Sequence, residues 1–124
     1  MNLSYKTASE VYLLSLQSTQ SRVTMASLLN VMAYKLQKKK THQEVDWSKL
    51  HYEQILILMS DLSALGKSPA TINVYLSALK GVAKEAWRKK NIDVETYQHI
   101  KEIRRIKGTR SIKGRALDLD ELNQ

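Results

Sequence analysis

The sequence predicts an all-α domain of five helices followed by a basic C-terminal linker. Apolar residues recur at the three- and four-residue spacing of one helix face through most of the chain. The 124 residues include one proline and four glycines, so few residues would interrupt a helix. No segment shows the strict alternation of apolar and polar residues that marks a half-buried strand. The helices are therefore expected to pack around a shared core.

The first two helices have apolar faces at helical spacing. The first is predicted over residues 4–17, where the face comprises Ala8, Val11, Tyr12, Leu14 and Ser15. The second follows the hydroxyl-rich segment 18–21, whose side chains can accept hydrogen bonds from the free amides of a helix start. Its predicted apolar face comprises Val23, Met25, Leu28, Leu29, Met32, Ala33 and Leu36. It is expected to end at the lysine run 38–40, since lysines complement the negative end of a helix dipole.

The third and fourth helices are separated by Gly66, a residue that favours the conformation just past a helix end. The third is predicted over residues 48–65, after a polar loop anchored by Trp47. Ser68 and Pro69 give the fourth helix an N-cap and a first-turn proline, whose missing amide costs nothing there. Its predicted core face comprises Ile72, Tyr75, Leu76, Leu79, Val82, Ala83 and Trp87. Asp93 is predicted to start a fifth helix that carries Val94, Tyr97, Ile100 and Ile103.

Length and composition narrow the class of protein. A chain of 124 residues is long enough to bury a core but short for a complete multi-part enzyme, so we expect one helical domain in residues 1–107. The absence of cysteine excludes disulfides and thiolate metal sites. No apolar run approaches the roughly 20 residues that cross a bilayer, and residues 1–10 lack the features of a secretory signal. We therefore expect a cytoplasmic protein with no membrane partner.

Positive charge is concentrated in one part of the chain. Residues 80–115 contain 12 Lys or Arg and 4 Asp or Glu, whereas the remaining residues contain 8 of each kind. A clustered positive field attracts polyanions, so the charge alone leaves DNA, RNA and anionic lipid open as partners. Residues 108–115 have no amphipathic period and include two glycines, which is typical of a linker. Asp118 and Glu121 then have the spacing of a capping box at a new helix.

Two motifs resemble the N-terminal core-binding domain of tyrosine recombinases of the phage-integrase family. The family pattern T-x-N-x-x-L-S-A-L-K in the fourth helix is matched by Thr71, Asn73, Leu76, Ser77, Ala78, Leu79 and Lys80. Asp46, Trp47 and Leu50 match an aspartate-tryptophan-x-x-leucine pattern at the start of the family's third helix. The resemblance spans residues 7–122 and implies a compact orthogonal bundle of four to five helices with the SAM-like fold of core-binding domains.

The resemblance implies a DNA-binding function in site-specific integration or recombination, in a bacterial or phage-encoded mobile element. The implied partners are double-stranded DNA, a C-terminal catalytic domain of the same polypeptide and other recombinase subunits on the DNA. In the family the second and fourth helices face the major groove. With the basic strip, this gives a predicted DNA-binding set of Arg22, Thr24, Ser27, Thr71, Asn73, Ser77, Lys80, Lys84, Arg88, Arg104, Arg105, Lys107, Arg110, Lys113 and Arg115. Gly81 is expected to lie in the same surface and to admit a DNA backbone.

The chain is expected to be catalytically inert by itself. The family's tyrosine nucleophile and its arginines lie in a separate domain, and residues 108–124 are predicted to be the interdomain linker and the start of that domain. His42, His51 and His99 have no ligand-like spacing, so neither a metal nor a cofactor is predicted. The two tryptophans are predicted to be core residues rather than base-stacking ones.

Two other functions remain open for this fold and charge. SAM-like folds also serve as helical protein-interaction modules, because a fold does not determine its function. A small stand-alone DNA-binding regulator would bind as a symmetric dimer with a fixed half-site spacing. A reading frame that continues into a domain with the arginine and tyrosine constellation would favour the integrase interpretation over both.

Overall fold

The computed structural model describes residues 6–107, in which all regular structure is helical. The five α helices are α1 (Ala8–Ser15), α2 (Thr19–Gln37), α3 (Tyr52–Ala64), α4 (Pro69–Arg88) and α5 (Val94–Lys101). Two short 3-10 turns, His42–Glu44 and Trp47–Lys49, connect α2 to α3. The prediction of an all-α bundle is confirmed. The predicted linker and the start of a further domain lie outside the described residues.

Polar side chains cap the helix starts where the sequence predicts them. Ser18, Ser68 and Asp93 each accept a hydrogen bond from the backbone amide three residues later, at 3.2, 3.2 and 2.8 Å. These bonds satisfy amides that have no partner within the first turn of a helix. Thr7 caps α1 in a reciprocal arrangement, in which Glu10 also accepts from the Thr7 amide at 2.8 Å.

The predicted bounds of three helices are wrong. The fifth helix ends at Lys101, so Ile103 lies beyond it rather than on its apolar face. The first helix is shorter than the predicted segment 4–17, since Thr7 caps it and it ends at Ser15. The third helix begins at Tyr52 rather than at residue 48, because Asp46 caps a separate 3-10 turn by accepting from the Ser48 amide. His51 then caps α3 through its ring nitrogen Nδ1. The chain thus changes direction between the two caps.

Helix α4 lies at the centre of the bundle and packs against each of the other four helices. Its predicted core face is buried from Ile72 to Ala83, but Trp87 at the last turn is 37 % exposed, so its assignment to the core is wrong in part. Trp47 is buried, as predicted. The predicted faces are also wrong at Leu14 of α1, Val23 of α2 and Val94 of α5, which are 59, 58 and 52 % exposed. None of the helices in the described part of the chain has the length and apolar character needed to cross a membrane.

His42 joins three elements of the fold through buried hydrogen bonds. The Ser9 hydroxyl on α1 lies 2.6 Å from His42 Nδ1, and Asn30 on α2 accepts from the His42 amide at 2.8 Å. The His42 carbonyl accepts from the indole Nε1 of Trp47 at 3.2 Å. Burial lowers the pKa of His42 below its ordinary value of 6.5, against an opposing effect of Glu10. This cluster therefore anchors the connection between α2 and α3 with a neutral imidazole.

Candidate nucleic-acid interface

The segment after α5 runs along α4 and is fixed to it. Asn73 Nδ2 donates to the Ile106 carbonyl at 2.8 Å, and the Ile106 amide donates to Asn73 Oδ1 at 2.8 Å. Ile103 is buried in the core, and Ile106 packs against it. Residues 102–107 therefore form an ordered strap, which we call the α4 strap, rather than a free beginning of the linker.

Lys80 makes a second attachment between α4 and the strap. Its Nζ donates to the Ile103 carbonyl oxygen at 2.5 Å, and the side chain is half-buried. Burial lowers the pKa of Lys80, and the positive charge of Arg105 lowers it further. The charge of Arg105 therefore acts on Lys80, and an anion bound at this position would offset that repulsion.

The strap presents three exposed cations, Arg104, Arg105 and Lys107, around the buried Ile103 and the half-buried Ile106. Because the isoleucine side chains face the bundle, the charged groups are held at the surface. Because Glu102 offsets one of these three charges, the strap supplies a fixed ridge along α4 with a net charge of +2. These three residues belong to the predicted DNA-binding set, and each is exposed to contact by a polyanion.

The predicted DNA-binding residues on α4 divide into two kinds. Ser77, Lys84 and Arg88 are exposed, and the helical period places Ser77 one turn from both Asn73 and Lys80. Arg88 also pairs with the buried Glu85, with Nη1 to Oε2 at 3.2 Å. The exposed members therefore lie beside the strap and extend its positive surface toward the C-terminal end of α4.

Asn73 does not belong to the exposed surface, so its prediction as a DNA contact is wrong. The residue is only 6 % exposed, and both ends of its amide are engaged with Ile106. Asn73 instead positions the strap that carries the cations. The α4 motif placed it in the DNA-binding set, and its partner 33 residues later in the sequence could not be deduced from that motif.

Gly81 was expected to admit a DNA backbone, and that expectation is also wrong. A Cβ atom at this position would lie 2.3 Å from Tyr12 Cε1 and 2.5 Å from Tyr12 Cδ1. The glycine therefore admits the aromatic ring of α1. Burial raises the pKa of the Tyr12 hydroxyl, as expected for a ring packed between two helices.

The predicted residues on α2 are exposed, but one of them has a structural role. Arg22 Nε donates to the Leu16 carbonyl at 2.9 Å, and its Nη2 donates to the Leu14 carbonyl at 3.4 Å, so Arg22 caps the end of α1. Thr24 Oγ1 accepts from the side-chain Nε2 of Gln20 at 3.4 Å. Ser27 is exposed. Within residues 6–107, no hydrogen bond or ion pair joins these three to the strap.

The remaining predicted residues are structural or undescribed. Thr71 lies in the first turn of α4, where its hydroxyl accepts from Ser68 at 3.1 Å. Arg110, Lys113 and Arg115 lie outside the described residues.

Metal and nucleophilic chemistry find no support in the described part of the chain. No group of three or more His, Cys, Asp or Glu side chains there could hold a metal ion. Ser9 and His42 form a serine-histidine pair, yet both side chains are buried. A substrate carbonyl could not reach the hydroxyl, so the pair is structural.

Comparisons of the chain with protein-family models, curated proteins and solved structures found no match.

Proposed function

We propose that this chain is a DNA-gripping domain of the core-binding kind found in tyrosine recombinases, which holds duplex DNA while a separate catalytic domain cuts it. The observation that carries the proposal is the attachment of the basic strap to α4. Asn73 and Lys80 fix the strap backbone, and Arg105 lies close enough to Lys80 to lower its pKa. Like charges held together in this way favour binding of a polyanion.

The shape of the surface favours duplex DNA among polyanions. The exposed cations follow a helix of 20 residues and the strap beside it, so they form an extended ridge rather than a pocket. Phosphates along one groove edge of a duplex present charge with a similar extent. Such contacts position a protein on DNA without reading its sequence.

The two sequence motifs of the resemblance have clear structural roles. Asp46 caps a 3-10 turn, and both Trp47 and Leu50 are buried. In the α4 motif, Leu76 and Leu79 are core residues, while Asn73 and Lys80 hold the strap. The α4 motif therefore builds the surface that the proposal assigns to DNA. The Asp46–Leu50 motif instead fixes the connection between α2 and α3. Catalysis, integration and contacts with other recombinase subunits belong to the same proposal.

Binding to a blunt duplex tests this function. The duplex would span about two helical turns, and its affinity would be measured by fluorescence anisotropy between about 50 and 200 mM salt. Replacing Arg104 and Arg105 by alanine should weaken binding and reduce the log–log salt slope by about 2, at about 0.9 per phosphate contact. The matched control replaces the exposed Lys6 and Lys49, which removes the same net charge elsewhere. Equal losses in the two variants would contradict a localised interface.

A protein-interaction function is favoured by a different face of the molecule. Tyr34 on α2 is 60 % exposed and Ile57 on α3 is 70 % exposed, and both line an open cleft of about 330 Å³. The ion pair between Lys35 and Asp61, at 2.8 Å, lies in the same cleft. A two-fold contact with a second copy would bury Tyr34 and Ile57 of both copies. Ile57→Glu should abolish concentration-dependent self-association in sedimentation if this function holds.

A further inference from the structure

An open cavity of about 520 Å³ lies at the corner between α4 and α5, beyond the end of the basic ridge. It is bounded by Trp87 from the last turn of α4 and by the connecting residues 88–94. Arg88, Lys90 and Asn91 all contribute to its lining and are exposed. The cavity therefore combines an aromatic ring, two cations and an amide group.

Trp87 and Tyr97 form a stacked pair of aromatic rings. Their centroids are 5.0 Å apart and their planes differ by 7°. Tyr97 is buried, whereas 37 % of Trp87 remains exposed, so the indole is the outer ring of the stack. A supported aromatic ring at the surface is able to continue the stack with one more planar group.

The turn after α4 brings positive charge to this ring. Lys90 has a φ angle of 64°, which is left-handed backbone that favours glycine, and the Asn91 amide bonds back to the Ala86 carbonyl at 2.8 Å. The turn thus holds a lysine where a glycine would fit more easily. Asp93 is the acidic group of the lining, and its carboxylate accepts from the Thr96 amide at the start of α5. Arg88 and Lys90 outnumber Asp93 by one charge in the lining, and Arg88 keeps its pairing with the buried Glu85.

We propose that this cavity binds an unpaired nucleobase of the DNA, which stacks on Trp87 while its flanking phosphates contact Arg88 and Lys90. The inference rests on the proposed function, because Arg88 belongs to both surfaces. A base inside a duplex has both faces covered by its neighbours, whereas a base in a single-stranded end or gap offers a free face. The stacked rings favour binding of a planar base over binding of an acidic peptide, because aspartate and glutamate side chains have no ring that could stack on Trp87. Purines, with the larger ring system, should bind better than pyrimidines.

The test compares duplexes that differ only in a single-stranded extension. One has no extension, one has a short run of adenines, and one has the same number of abasic sugars with all phosphates retained. We expect the adenine extension to improve affinity about tenfold over the abasic one, within the usual range for stacking of a base on an aromatic side chain. Tryptophan emission should fall on binding, since Trp47 is buried and Trp87 is the exposed indole.

Variants at Trp87 separate stacking from charge. Trp87→Leu should remove the preference for bases over abasic sugars while leaving affinity for the blunt duplex within about twofold, since leucine keeps the apolar contact with Tyr97 but offers no ring. Trp87→Phe should restore part of the preference. The comparison of adenine with abasic extensions uses the native chain, so it decides the matter even if a variant folds poorly.

Three outcomes would separate the base site from the proposed function. Equal affinity for adenine and abasic extensions, with tight binding of the blunt duplex, would reject the base site and leave the proposed function intact. Quenching of Trp87 by polyglutamate but not by the adenine extension would reassign the cavity to an acidic protein partner. If the blunt duplex failed to bind, a single strand of adenines that still quenched Trp87 would support the cavity while contradicting the duplex interface.

Discussion

Asn73 holds both backbone groups of Ile106, with each hydrogen bond at 2.8 Å. An asparagine amide presents an N–H donor and a carbonyl acceptor side by side, so it can hydrogen-bond both backbone groups of a single residue. This pair determines where the α4 strap lies, and therefore where Arg104, Arg105 and Lys107 are presented. The residue that sequence spacing assigned to DNA instead controls the geometry of the residues that would touch it.

Asn73→Ala should destabilise the fold and weaken DNA binding together. The change leaves the amide and carbonyl of the half-buried Ile106 without their partners, which costs about 1–3 kcal/mol of unfolding free energy in denaturant titrations. DNA affinity should fall about tenfold, since re-ordering the backbone of even one residue costs about 1–2 kcal/mol. Hydrogen exchange at the Ile106 amide should accelerate.

The control for this prediction is Ser77→Ala, one helical turn away on the exposed surface. That change should alter stability by less than about 0.5 kcal/mol. A protected Ile106 amide in Asn73→Ala would show that the strap is held without the asparagine, and would contradict its positioning role.

Gly81→Ala should destabilise the protein even though alanine is the better helix former. The new Cβ would meet the Tyr12 ring at 2.3 Å, and overpacking of this kind costs about 1–3 kcal/mol. The higher helix propensity of alanine contributes about 1 kcal/mol in the opposite direction, so the unfolding free energy should fall by about 1 kcal/mol in total. The same change made in a Tyr12→Ala background should stabilise, because the obstacle is absent. A destabilisation of equal size in both backgrounds, measured as a double-mutant cycle, would reject the contact.

As the pH falls, titration of His42 should lower the unfolding free energy before titration of the carboxylates does. Burial lowers the pKa of His42 below 6.5 in the folded protein, so the unfolded chain binds this proton first as the pH falls. The unfolding free energy should therefore decrease below about pH 6.5, by at most about 1.4 kcal/mol per pH unit, until the folded imidazole also protonates. The pKa values of Glu10 and Asp46 are lowered below 4.5 and 3.8, so their losses come at lower pH.

His42→Asn is the matched variant for this pH dependence. Asparagine keeps a short polar group near the Ser9 hydroxyl but does not titrate. Its unfolding free energy should be lower than that of the native chain at neutral pH and nearly constant between about pH 7 and 5. A native and a variant chain with parallel pH profiles in this window would exclude His42 as the titrating group.

The sequence was a good guide to features that depend on neighbouring residues. Ser18, Ser68 and Asp93 were identified as caps because a cap bonds an amide only three residues away. Asn73 and Gly81 were misassigned because their partners, Ile106 and Tyr12, lie far away in the sequence. A polar residue or a glycine on a helix has the same local pattern whether it faces solvent or another element. The positive charge of the strap was predictable, but its fixed position on α4 was not.

The lysines that follow α2 and α4 should lower the unfolding free energy, although they supply positive charge. Lys38 and Lys90 have φ angles of 58° and 64°, in the left-handed region that a side chain disfavours by about 1 kcal/mol. Lys38→Gly and Lys90→Gly should therefore each raise the unfolding free energy by about 0.5–1 kcal/mol. Lys39→Gly, outside that region, removes the same charge and should not stabilise the fold.

Lys90→Gly should in addition weaken binding of the adenine extension, because it removes a cation from the cavity beside Trp87. A variant that gains stability and keeps full affinity for that extension would show that Lys90 does not contact the phosphates.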